Sequence, residues 1–170
     1  MKFKPACAVA LALLLNLTCS AWALPAGDDP EWKESEVPPP PAFDVGKLIT
    51  FDVSPNSSLV YGVDPASIRI SNSDSVVRYV VVATSASGAR NVMYEGIRCS
   101  TAEFKTYARY SPDGRWNMVG NAEWRSMMGS MPSKHALRFA MAGACDSAAP
   151  APSVDVLVTR LKKPNFRITE

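Results

Sequence analysis

The 170-residue chain predicts an α+β fold, an antiparallel sheet with one helix packed on it and a disulfide staple between them. About five or six strands are expected, an ordinary sheet size. Three observations lead there. Residues 47–118 alternate short β-branched and aromatic runs with turn signals, the pattern of strands joined by tight turns. Residues 132–145 switch to helical spacing. The chain that remains after an export leader is removed keeps two cysteines, Cys99 and Cys145.

The leader comes first. Residues 1–23, "MKFKPACAVALALLLNLTCSAWA", carry Lys2 and Lys4, an apolar run from Ala6 to Leu17 and the small-x-small exit Ala21-Trp22-Ala23. That is the three-part plan of a secretory signal, with cleavage expected after Ala23. The run of about a dozen apolar residues is too short to span a bilayer. A periplasmic address follows. Leu17-Thr18-Cys19 offers an alternative exit of lipoprotein type, in which acyl chains on Cys19 would hold the protein at a membrane.

Losing Lys2 and Lys4 turns 18 basic and 16 acidic residues into a balanced 16 against 16. A neutral chain has no bulk attraction for nucleic acid or anionic lipid, so nucleic acid is not an expected partner, and a membrane is one only if Cys19 is lipidated. Cys7 and Cys19 leave with the signal, and two cysteines in an oxidising compartment pair. A catalytic cysteine wants a histidine-activated thiolate, and zinc wants about four ligands at short spacings; the sequence has neither pattern.

Residues 24–46 hold six prolines, four of them consecutive at Pro38 to Pro41. Proline cannot donate to a ladder, and such a run settles into an extended rod. It is read as a semi-rigid spacer, in preference to a ligand for an aromatic groove, with Trp32 and Phe43 available to pin it. Residues 47–170 then make a single domain. "KLITFDV" and "SLVYGV" are strands around the turn "SPNSS", and "DPASIRI" leads into another. "SVVRYVVVAT" is apolar on both faces, as a central strand must be. "NVMYEGIRC" returns, with Gly96 marking a bulge or a close backbone approach.

"EFKTYARY" alternates cleanly, placing Phe104, Thr106, Ala108 and Tyr110 on one face and Glu103, Lys105, Tyr107 and Arg109 on the other. "SPDG" is the hairpin turn and "RWNMVG" the return strand. Pro132 and Ser133 start the helix, with Leu137, Ala140, Met141 and Ala144 on its apolar face. It ends near Gly143 to Cys145, where a Cys99–Cys145 bridge staples it to the sheet. "VDVLVTRL" is read as a late strand from the alternation of Val154, Val156 and Val158.

The order and spacing of "EWKESEVPPPPAF", "DPASIRI", "YEGIRC…EFKTYARY…GRW", "AEW" and the helix ending at Cys145 resemble the cryptic neisserial protein family, exported proteobacterial proteins without an assigned activity. The resemblance spans most of the mature chain. It implies a periplasmic address and a single domain, and it carries no catalytic residues. A looser similarity of layout over residues 60–145 to surface-adhesin E-type proteins implies an envelope binding role, at the level of fold alone.

Those features lead to a non-enzymatic binding or structural module of the cell envelope, its partner an unidentified envelope protein, glycan or peptidoglycan. Lys105, Tyr107, Arg109 and Arg115 form the expected binding surface, basic and aromatic groups suiting an anionic partner. No cofactor motif is present. The alternative is a small metal-handling protein or a hydrolase. Met127, Met128, Met131 and His135 have the soft donors that suit Cu(I). His135 is the single histidine and the natural base for a hydrolase, although no G-x-S-x-G elbow accompanies it.

Overall fold

Strand β4 (Val76–Ser85) is the spine of the molecule. Its first eight residues are buried, as expected for a valine-rich strand covered on both sides. The computed structural model describes residues 32–163. The expected leader, its exit at Ala23 and the rival exit at Cys19 lie outside them.

Around β4 runs an antiparallel sheet. β1 (Ile49–Phe51) pairs with β2 (Leu59–Val63), which pairs with β4. On the other side β4 pairs with β5 (Arg90–Arg98), β5 with β6 (Glu103–Tyr110), and β6 with β7 (Trp116–Met118). Two short strands complete it: β3 (Arg69–Ile70) beside the start of β4, and β8 (Arg125–Ser126) beside the start of β6. A separate two-stranded ribbon joins β9 (Cys145–Asp146) to β10 (Ala149–Pro150). The fold class is therefore the expected one, with a sheet of eight strands where five or six were foreseen.

Alternation along β4 divides the core. Val77, Tyr79, Val81 and Ala83 enter the larger cluster, beneath the helices; Val80 and Val82 enter a smaller cluster on the opposite face. The helical cover begins with α1 (His135–Phe139), which runs on as a π-helical turn through Ala140–Ala144. Phe139 is fully buried against Tyr79, ring centroids 4.3 Å apart. The helix ends at Gly143, whose φ of 137° suits glycine, and the Arg160 side chain lies where a Cβ would stand.

"VDVLVTRL" is a helix, α2 (Val154–Leu161), which corrects the expected strand. The Ser153 side chain accepts a hydrogen bond from the Val156 N–H, a good N-cap, and Asp155 sits in the first turn. Val154, Leu157, Val158 and Leu161 make an i, i+3, i+4, i+7 stripe facing the larger core. That stripe buries more than the valine alternation would.

Cys99 and Cys145 form the expected disulfide, their Cα atoms 5.7 Å apart. It ties the turn after β5 to the end of the helical cover.

The proline-rich stretch is pinned to the domain, with Phe43 among its anchors. The compact unit begins at Lys33, and from there the segment lies along the second face of the sheet. Val37, Phe43 and Leu48 cover the smaller core cluster. The Phe43 ring meets Tyr110 and Trp116 edge-on at 5.0 and 5.8 Å. The Ser35 N–H and hydroxyl both donate to Asp74 Oδ2, at 3.0 and 2.5 Å, and the Asp44 N–H donates to Asp64 Oδ2 at 2.8 Å. Prolines cannot join a ladder, so the strap is held by side chains at its two ends.

Candidate functional site

One irregularity in the sheet organises both candidate sites. Along the β5–β6 pairing Tyr94 faces Ala108, and the next residue, Glu95, faces Thr106. Tyr107 is thus the extra residue of a β-bulge. Glu95 and Thr106 point to the helical face, while Tyr107 swings to the strap face and closes over Gly96. A Cβ on Gly96 would stand 2.5 Å from the Tyr107 hydroxyl. Gly96 is the close approach foreseen from the sequence.

On the helical face the bulge sets a buried polar chain. Glu95 is fully buried. Its carboxylate accepts from Tyr79 Oη at 3.1 Å and from Thr106 Oγ1 at 3.0 Å, and His135 Nε2 lies 2.8 Å away. Since the carboxylate is the acceptor, Nε2 carries a proton and Nδ1 receives the Ser133 hydroxyl at 3.1 Å. Ser133 Oγ also accepts the His135 backbone N–H at 3.2 Å, a local turn that starts α1. Tyr61 stacks on the imidazole, planes 3° apart, and Phe104 meets it edge-on. Burial, and the Glu95 charge after it, push the Tyr79 phenol well above its ordinary pKa, so it stays a donor.

Above this chain opens a cleft of about 440 Å³. Tyr61, Met93, Phe104 and Met131 form apolar walls, His135 and Glu95 reach its floor, and Arg109 and Arg125 stand at its mouth. The same two arginines line a smaller adjoining hollow of about 230 Å³ together with Glu123.

On the strap face lies a second network. Glu34 accepts from Tyr107 Oη at 2.6 Å, Lys105 Nζ at 2.8 Å and Trp124 Nε1 at 3.2 Å. Burial raises the Glu34 carboxyl, but these donors outweigh it and the group titrates below its usual range. Arg78, almost fully buried, pairs with Asp74 at 2.7 Å and reaches Glu34 at 3.6 Å. Asp74 behaves as Glu34 does: burial pushes it up, and hydrogen bonds from Arg78 and Ser35 hold it far below the carboxylate range. Burial and the bond to Glu34 raise Tyr107 above the ordinary phenol range.

These networks redistribute the residues expected to form one surface. Lys105 and Tyr107 lie under the strap, with Tyr107 only 3 % exposed. Arg109, past the bulge, is on the opposite face in the cleft. Arg115 is exposed at the hairpin turn, paired with Asp113 at 2.6 Å. The four do not make one face, because the bulge inverts the alternation between Tyr107 and Arg109. Of the soft-donor group, Met127 is in the core, Met128 is exposed, Met131 walls the cleft, and both His135 ring nitrogens are engaged within the protein.

Sequence reasoning missed Glu95, Arg125 and Glu34. A carboxylate amid the apolar residues of "NVMYEGIRC" was the one local signal for Glu95. Its partner His135 is 40 residues away, and Glu34 meets Tyr107 across 73.

Fold and site together define a disulfide-stapled α+β domain whose bulged sheet carries an open cleft beneath its helical cover. The model of the CNP1-like family matches residues 27–162, most of the chain. The protein belongs to the CNP1-like family, a family of unassigned function. No curated protein and no solved structure gives a significant match.

Proposed function

We propose that the protein is an exported binding module of the cell envelope that performs no chemistry and offers its helical-face cleft to another envelope component. The observation that carries this reading is the cleft floor. Glu95 is occupied by three donors, both His135 nitrogens are engaged, and the Ser133 oxygen serves a local turn. These contacts tie α1 to the sheet and start its first turn, a structural use for each of the groups. A cleft of this volume with apolar walls and polar groups at its rim suits a small or extended ligand. The leader sequence and the disulfide support the envelope address.

One observation favours a hydrolase as the second reading. Ser133, His135 and Glu95 form an unbroken Ser–His–carboxylate relay at the cleft. A fluorophosphonate probe separates the two. The binding module should remain unmodified by intact mass, and Ser133→Ala should cost about 1 kcal/mol of stability, the worth of a lost helix-start turn. A covalent adduct on Ser133 that disappears in His135→Gln would establish the hydrolase and overturn the binding reading.

A further inference from the structure

We infer that the cleft takes an organic anion, a carboxylate or phosphate joined to an apolar body, with Arg109 and Arg125 as its recognition pair. The inference rests on the binding-module reading and names the class of ligand for that site.

Arg78, Arg98, Arg115 and Arg160 each face a carboxylate within the fold. Among the described residues Arg69, Arg90, Arg109, Arg125 and Arg138 make no ion pair, and of these Arg109 and Arg125 line the cleft. The nearby acids do not neutralise them. Glu95 lies on the floor and is taken by Tyr79, Thr106 and His135; Glu123 lines the outer hollow and forms no ion pair among the described residues.

Arg125 is also preoriented. Its guanidinium lies over the Phe104 ring, 5.3 Å from the centroid, so less freedom is lost when it grips a ligand. Its position is set by the Phe104–Arg125 pairing of β6 and β8, and that of Arg109 by the bulge that returns it to this face. Two guanidinium groups at one rim repel each other until an anion sits between them, and their planar forks match carboxylate and phosphate oxygens. Beneath them Tyr61, Met93 and Met131 offer an apolar wall. That combination selects an anionic head on an apolar body, and a neutral polar ligand would leave the arginine pair unanswered.

The test uses the full chain, expressed with its own leader and purified oxidised, and titrates it by two-dimensional amide NMR. The probes are 2-naphthoate, 2-naphthyl phosphate and the neutral 2-naphthamide. Both anions should shift the amides of Asn91, Thr106 and Ser130, and should bind about tenfold more tightly than the amide, the worth of one charge-assisted contact. Arg109→Gln/Arg125→Gln should remove that preference, whereas Arg90→Gln, an exposed arginine outside the cleft lining, should retain it. The tighter of the two anions tells carboxylate from phosphate as the native head group. If the amide binds as well as the anions, or the double variant keeps the preference, anion recognition is overturned and the binding module stands. If no probe shifts the cleft amides, the cleft itself is not the binding site and both readings fall.

Discussion

Arg78→Met is expected to remove about 3–5 kcal/mol of stability, the usual result of stripping one partner from a buried ion pair. Arg78 is 2 % exposed and Asp74 3 %, and the same guanidinium reaches Glu34. Methionine fills much of the space but leaves the buried Asp74 carboxylate without its guanidinium, with Ser35 and the Val76 N–H among its remaining donors. Denaturant unfolding reads the loss, and Asp74→Asn/Arg78→Met should recover part of it. The acid limb of the stability profile adds a second signature. Asp74 and Glu34 titrate lower in the folded protein than their ordinary values of 3.8 and 4.5. A depressed carboxyl contributes stability that is complete above its unfolded pKa and is lost as pH falls toward the folded one. Wild type should therefore weaken as pH drops below about 4.5, and Arg78→Met, already deprived of the pair, should weaken less over that range. A variant as stable as wild type would show that the strap network contributes nothing to folding.

Removing the staple has an effect of similar size. Cys99→Ala/Cys145→Ala reopens a closed loop of 46 residues, which chain entropy values at about 4 kcal/mol. Oxidised wild type should melt well above the double variant, and reduced wild type should fall close to it. Cys145 ends the π-helical turn and Cys99 follows β5, so the loss should show first as loosening of α1 against the sheet. Coincident melting of oxidised and reduced wild type would contradict a structural staple.

Much of the fold was legible because its signals are local. "VVRYVVV" has no polar face to offer water, so a central strand follows; the SPDG hairpin places Gly114 at a φ of 83°. The cysteine pairing is legible from the oxidising address that the leader leads one to expect. α2 was misread because Val154, Val156 and Val158 alternate within a segment that also carries a helical stripe and a serine cap, and packing chose the stripe. The polar anchors of the strap are not legible because they are distant in sequence: Ser35 to Asp74, Glu34 to Lys105 and Tyr107. Nothing in a run of prolines announces such partners.

The candidate site was less legible, for one physical reason. The clean alternation of "EFKTYARY" assigns Lys105, Tyr107 and Arg109 to one face, and a single extra residue at Tyr107 reverses the assignment beyond it. Alternation counts residues and cannot register a bulge. His135 was singled out from the start, but its carboxylate lies on a strand 40 residues earlier and enters only when the sheet is assembled.

That the cleft is a binding surface in the envelope is tested most directly by photocrosslinking in the living cell. A benzoylphenylalanine placed at Asn91, on the cleft rim, is compared with one at the exposed Asn117 of β7. Irradiated protein is then recovered from the periplasmic fraction and weighed intact. An added mass from position 91 and none from position 117 is the predicted result. No adduct from position 91, or equal adducts from both positions, would contradict it.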